Sequence, residues 1–309
     1  MRRSIPVTYL FFLNFLIASL SVQYSYGQQG NQFTQYMYDQ SIINPAYVGA
    51  DEALSLNLIH RDQWSGIDGA PQSQTLSAHS LFKRKKFGTG LLLHRETIGI
   101  HTQLDAAANF AYHLKTGVNS FLSFGIKAGI TNRQSDYQSL ERGTPDNVAS
   151  FNNLNETYLD AGLGLFFRNR NLQIGYAVPQ LLPPVYELGD TIKVNPTNLN
   201  HLLFTKYSFD LNESFKLIPS ILLKYYKGTP FSYDLNINTT YYDIISAGVS
   251  YRKDESIDLL LKLHITPQLQ IGYAYDIPIG EVGAITRSSS EIMLRYLFKF
   301  KYAKVVSPR

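Results

Sequence analysis

The sequence predicts an all-β fold, a transmembrane antiparallel barrel of about 14 strands with short periplasmic turns and longer extracellular loops. Three observations predict it. Apolar and polar residues alternate with period two through most of the chain, in runs of about 9 to 12 residues, the length a tilted strand needs to cross a bilayer. Aromatic residues make up 13% of the sequence, with 22 tyrosines and no cysteine, while mean hydropathy is −0.14. Beyond Leu20 no apolar run approaches the roughly 18 residues of a helical span. A soluble sandwich also alternates, but its strands usually run to about five or six residues.

The first element is a leader. Arg2 and Arg3 precede an apolar run from Val7 to Leu20, then polar SVQYSYG, with the small residues Ser25 and Gly27 placed for cleavage before Gln28. This pattern predicts a secretory signal peptide over 1–27, too short and wrongly flanked for a membrane helix. Lys and Arg number 28 against 24 Asp and Glu. Loss of Arg2 and Arg3 leaves a net charge of about +2, which predicts no nucleic-acid partner. The strongest basic run is Lys83-Arg84-Lys85-Lys86. The lack of cysteine excludes disulfides, thiol catalysis and thiolate metal sites.

Residues 28–50 precede the first strand. They are expected either to enter the lumen as a plug or to stay periplasmic and bind a partner there. The barrel proper is expected over 51–309. Strands are predicted to begin near residues 52, 72, 87, 101, 118, 156, 170, 201, 214, 230, 241, 256, 267 and 290. In the fourth, Leu104, Ala106, Ala108, Phe110, Tyr112 and Leu114 oppose Asp105, Ala107, Asn109, Ala111 and His113. In the last, Ile292, Leu294, Tyr296, Phe298, Phe300 and Tyr302 share one face, the lipid face, with Ala303–Arg309 as a tail.

Connection lengths sort by parity. Every second one is tight: Lys83–Lys86, Thr116–Val118, Arg168–Arg170, Asp210–Glu213, Thr239–Tyr241 and Thr266–Pro267. The complementary set holds the long ones, Thr131–Asn155, Pro179–Asn200 and Asp276–Ser289. Outer-membrane barrels show this asymmetry, with long loops outside and short turns in the periplasm. Inward glycines, Gly88 with Gly90 and Gly162 with Gly164, predict that something lies close against the wall.

Motifs for catalysis are missing. The sequence contains no GxSxG, HExxH or phosphate-binding glycine loop, and its seven histidines are scattered. His60, His79, His94 and His113 are expected to face the lumen, where Ser77, His79 and Asp62 could form a hydrogen-bonded group. No enzymatic activity, cofactor or metal is expected.

The stretch His60–Gln72, HRDQWSGIDGAPQ, gathers a histidine, an arginine, two aspartates and the only tryptophan. Its simplest reading is the end of the first strand followed by an extracellular turn over Gly66–Pro71. Gly66 and Gly69 permit positive φ, Asp68-Gly69 favours a turn and Pro71 fixes the exit. Trp64 falls where an aromatic belt is expected.

Together with QFTQYMYDQSIINPAYVGA (Gln32–Ala50), this stretch resembles the opening of the PorP/SprF family. Gln32, Phe33, Gln35, Tyr36, Met37, Asn44, Pro45, Ala46, Tyr47 and Gly49 match its first two motifs. Arg61, Gln63, Trp64, Gly66, Asp68, Gly69, Ala70, Pro71 and His79 match the third; Ile67 departs from a position often aromatic. The resemblance implies an integral protein of the cell outer membrane, associated with type IX secretion and gliding motility. It implies an accessory that helps secrete or anchor a cognate surface adhesin. Its implied partners are outer-membrane lipid, secretion components on the periplasmic side and the adhesin's C-terminal domain. It makes Asn44, Pro45, Tyr47, Arg61, Trp64, Gly66, Asp68, Gly69 and Pro71 the candidate docking residues. A transporter or channel for small or hydrophobic solutes would share the architecture, but should show a greasy lumenal path.

Overall fold

The computed structural model describes residues 31–82, 86–137, 153–182, 184–186, 192–194, 199–227, 229–280, 283 and 286–298. The expected leader, Lys83–Lys85, most of the 131–155 loop, Phe300, Tyr302 and the 303–309 tail lie outside them. The chain divides into Met1–Asn31 and Gln32–Arg309, and the fold is that of the second unit.

Fourteen antiparallel strands close into a barrel. They are β1 (Leu54–Asp62), β2 (Gln72–Phe82), β3 (Phe87–Ile98), β4 (His101–Lys115), β5 (Phe121–Ser135), β6 (Leu154–Arg168) and β7 (Leu172–Val178). Next come β8 (Asn200–Tyr207, continued after Ser208 by Phe209–Asp210), β9 (Phe215–Tyr226), β10 (Ser232–Tyr241) and β11 (Ile245–Arg252). Last are β12 (Ser256–His264), β13 (Leu269–Pro278) and β14 (Ser289–Phe298). Each strand pairs with its sequence neighbours, and β1 meets β14 from Leu54↔Phe298 to Asp62↔Ser290. Closure pairs the first strand with the last, leaving no open sheet edge of the kind lipid cannot satisfy. A separate ribbon pairs Pro184–Tyr186 with Ile192–Val194.

The alternation read from the sequence maps onto two faces. Leu58, Leu76, Leu91, Leu104, Phe110, Ile126, Leu163, Leu235, Ile271, Ile292 and Leu294 stand exposed on the outside. Their neighbours Ser55, Asn57, Thr75, Ser77, Asn109, Ser123, Asn236, Ser250, Glu291 and Arg295 point inward and are buried. Large apolar side chains outside and polar ones inside suit a lipid exterior.

All connections at one end are short. The longer connections, 63–71, 136–153, 179–199 and 279–288, lie together at the other end. One expected turn is displaced. Instead of ending near Thr239, β10 runs on to Tyr241, whose ring packs against Phe215 at 4.8 Å, and the reversal falls at 242–244. Tyr242 and Asp243 there take positive φ, 48° and 55°. The cross-strand aromatic pair favours the extra residues of strand. His60 is also corrected: it lies on the outer face with its side chain 45% exposed, whereas His79, His94 and His113 do face inward and are buried.

Candidate functional site

The lumen is filled by the chain's own N-terminal segment. From Thr34 through Tyr47 nearly every residue is buried, although this stretch contains little regular structure. Two capped turns give it shape. Asp39 caps the 3-10 turn Gln40–Ile42 by accepting from the Ser41 amide at 3.0 Å. Asn44 caps Pro45–Tyr47 by accepting from the Ala46 amide at 2.9 Å, with proline at the first position, where its missing N–H costs nothing.

The segment runs from the long-loop mouth to the short-turn mouth. At the first, Gln32 donates to Glu255, in the connection after β11. The amides of Thr34 and Gln35 each donate to the Glu291 carboxylate at 2.8 Å, and Thr34 Oγ1 donates to Asp276 at 2.8 Å. Arg61 ties this knot, donating to Thr34 Oγ1 at 2.7 Å and pairing with Asp276 at 2.7 Å. Midway, Asp39 accepts from Asn57 and Ser77 at 2.9 and 2.8 Å, and Asn236 donates to the Tyr36 hydroxyl at 2.8 Å. At the lower mouth Arg295 donates to the Tyr38 carbonyl at 2.6 Å and pairs with Asp51, while Arg168 pairs with Glu52 at 3.1 Å.

Two histidines are committed to the segment. The Gly49 amide donates to His79 Nδ1 at 3.1 Å, so the proton sits on Nε2, which faces Asp51 at 3.3 Å. His113 Nε2 donates to the Val48 carbonyl at 2.9 Å, leaving Nδ1 to accept from Ser123 at 2.7 Å. At the short-turn mouth, burial on its own would raise the Asp51 carboxyl, but the Arg295 charge and His79 outweigh it and hold Asp51 below the usual carboxylate range.

The inward glycines mark where backbone meets wall. A Cβ on Gly88 would stand 1.8 Å from the Val48 oxygen, on Gly125 2.1 Å from the Ala46 nitrogen, and on Gly272 2.0 Å from Gln35 Oε1. Gly164 likewise makes room for Asn44 Oδ1. Gly162, read from the sequence in the same way, instead clears Pro179 of the β7–β8 connection, whose oxygen would lie 2.7 Å from its Cβ. Apolar contacts add to the polar ones. Phe33, Tyr36, Met37 and Ile42 form one cluster with Ile59, Leu202, Phe204, Leu222, Leu260 and Met293 of the wall.

The candidate docking residues separate into two groups. Asn44, Pro45 and Tyr47 are buried inside the barrel, where Asn44 Nδ2 donates to the Leu165 carbonyl at 3.0 Å and Tyr47 packs on Phe166 at 5.2 Å. They hold segment to wall and present no surface. Arg61 is buried with them. Trp64, Gly66, Asp68, Gly69 and Pro71 lie in the first long-loop connection. Trp64 sits past the end of β1 in positive φ, 51°, its amide donating to Ser289 Oγ at 3.2 Å. Gly66 and Gly69 take φ of 82° and 74°; the Gly69 carbonyl accepts from the Gly99 amide at 2.8 Å. Gly66, Ile67, Asp68 and Gly69 are exposed. Gln32–Ala50 and Arg61–Pro71 touch where Arg61 donates to Thr34 Oγ1. Sequence reasoning missed Asp39, and on the strands Asp276, Glu291, Arg295 and Arg252, which donates to the Phe33 carbonyl at 3.4 Å; for these four, inward parity was a usable signal.

Comparison with known proteins agrees with this architecture. The profile described as "Type IX secretion system membrane protein PorP/SprF" matches residues 25–296. No curated protein sequence matches the chain. Among solved structures, the Ralstonia pickettii toluene transporter TbuX aligns at 12% identity and a TM-score of 0.50, covering 84% of this chain and 93% of its own. Acinetobacter baumannii Omp33 aligns at 9% identity and a TM-score of 0.46, covering 80% and 98%. Barrel, lipid face and family profile point the same way: the chain is an integral outer-membrane protein and belongs to the PorP/SprF family of type IX secretion system membrane proteins.

Proposed function

We propose that this protein is a self-plugged accessory barrel of type IX secretion that helps secrete or retain a cognate surface adhesin. It docks to the secretion machinery at its short-turn, periplasmic face and engages the adhesin's C-terminal domain at its long-loop, external face. The observation that carries this reading is the occupied lumen. A segment tied to the wall by buried hydrogen bonds at one mouth and by a buried ion pair at the other suits a scaffold better than a conduit. The solute-transport alternative needs a free apolar path. Here the apolar wall residues Leu202, Phe204, Leu222, Leu260 and Met293 are already covered by Phe33, Tyr36 and Met37. The inward histidines speak against catalysis in the same sense, since His79 and His113 spend ring nitrogens on the plug and His94 bonds Thr75 at 2.8 Å.

Planar-bilayer recording of the intact protein and of a chain lacking residues 32–50 tests the scaffold reading. The intact barrel should be closed, and the deletion should conduct. Large, solute-dependent conductance through the intact barrel would favour the transporter. In cells, retention of the adhesin at the surface should fall when the protein is removed.

A further inference from the structure

Where residue 52 leaves the lumen, the short-turn ends of β2 to β6 enclose a cavity of about 460 Å³. Lys86, Lys115, Arg168 and His113 line it, together with Phe121 and the carboxylate of Glu52. Its charge is unbalanced. Glu52 pairs with Arg168 at 3.1 Å, and that guanidinium also lies 4.5 Å above the centre of the Phe121 ring. Among the described residues neither Lys86 nor Lys115 has a carboxylate partner. Among the described residues, the cavity thus sets two ammonium groups without a carboxylate partner beside an aromatic surface.

Strand parity sets which way this charge points. Lys115 shares a face with inward His113, Phe121 with inward Ser123, and Arg168 with inward Phe166. These three groups share the inward parity of the barrel mouth, while Tyr112 and Leu114 of the outward face also border the cavity. An anion held here would come from the periplasmic space along the barrel axis.

We propose that this pocket docks an acidic, partly apolar segment of a periplasmic protein, with carboxylates between Lys86 and Lys115 and an apolar side chain against Phe121. The proposal rests on the short-turn face being periplasmic and on the docking role assigned above. It places the contact at the exit of the plug, where Glu52 already occupies Arg168. An incoming carboxylate would compete for the same guanidinium, so the pocket reads its partner beside the segment that seals the lumen.

Fluorescence anisotropy on the full-length, detergent-purified protein tests this. The probe is a fluorescein-labelled peptide of aspartates and glutamates around one phenylalanine, with its asparagine/glutamine counterpart as control. The acidic peptide should bind and the neutral one should not. Affinity should fall between roughly 50 and 300 mM salt, as for exposed charges. Lys86→Gln with Lys115→Gln should weaken it about tenfold or more, two charge-assisted contacts being lost. Both positions are at the rim, and unaltered heat-modifiable mobility on a gel would show the variant folded. Equal binding of the neutral peptide, or unchanged binding by the folded double variant, would overturn the proposal. So would displacement of the probe by phosphatidylglycerol added to the micelles, which would mark a lipid headgroup site. If the peptide binds but adhesin retention in cells is unaffected by removing the protein, the pocket stands and the secretion role fails.

Discussion

Gly125 illustrates how a single atom's absence sets the course of the plug. A Cβ there would lie 2.1 Å from the Ala46 nitrogen and 2.4 Å from the Pro45 carbon, both in the backbone of a capped turn that cannot shift cheaply. Gly125→Ala should therefore destabilise the folded barrel by about 1–3 kcal/mol, as overpacking does, read as a lower temperature for loss of the heat-modifiable form. Gly117→Ala, whose Cβ would meet only Ser120 at 3.4 Å, is the control and should change little. The glycines at 88 and 164 were legible as clearance because they recur on one strand face. What they clear was not, since glycine records a close approach but not the approaching group. Charge at this scale also has a pH signature. Asp51, at the short-turn mouth, titrates below the ordinary aspartate value of 3.8, so its stabilisation is complete above that value and lost as pH falls through the lowered one. Asp51→Asn should thus lower the midpoint of denaturant unfolding by a similar amount at pH 7 and at pH 5. A loss seen only at pH 7 would show that the carboxylate is already protonated at pH 5.

Strands were the most legible elements, because the two faces of a membrane barrel meet opposite solvents and the alternation has no reason to blur. The exceptions are instructive. At Thr239–Tyr242 the residues Thr-Thr-Tyr-Tyr carry no glycine or proline to mark the reversal, and packing of Tyr241 on Phe215 decides it. At His60 the polar residue sits on the outer face near the long-loop rim, where it bonds Asp62 at 3.1 Å rather than lining the lumen. The outward face of β14 gives a direct check. Leu294→Asp would put a carboxylate against lipid at a cost of about 1–4 kcal/mol depending on depth, and outer-membrane levels of the variant should fall. Serine at the same place should be far milder. Topology follows from connection length. An epitope tag inserted between Tyr137 and Asn153 should be labelled on intact cells, whereas a tag between Gly117 and Ser120 should be labelled only after the outer membrane is opened. The reverse pattern would invert the barrel.

For the molecule as a whole, the buried polar network sets how tightly barrel and plug depend on each other. Arg295 joins β14 to the plug through Asp51 and the Tyr38 carbonyl and also donates to Ser55 of β1 at 3.2 Å. Removing one partner of a buried pair leaves the other charge uncompensated, a loss of about 3–5 kcal/mol. Arg295→Met should lower the midpoint of denaturant unfolding accordingly, and pairing it with Asp51→Asn should recover part of that loss. Sequence reading reached the barrel and its family, but left residues 28–50 open between lumen and periplasm. Nothing local in an irregular, Gln- and Tyr-rich segment declares its surroundings. Its placement depends on side chains more than 200 residues away, Glu291 and Asp276 among them.

Those distant partners have a consequence for biogenesis. The plug grips Asn57 and Arg61 on the first strand and Glu291 and Arg295 on the last, the two strands whose pairing completes the ring. It behaves as a latch across the closing seam. Once the ladder between first and last strand is zipped, the segment holds both of its edges, and neither can let go alone. A finished barrel should have no lateral exit at this seam, and unfolding should be all-or-none. A protease present during assembly should cut only chains whose latch has not yet been thrown.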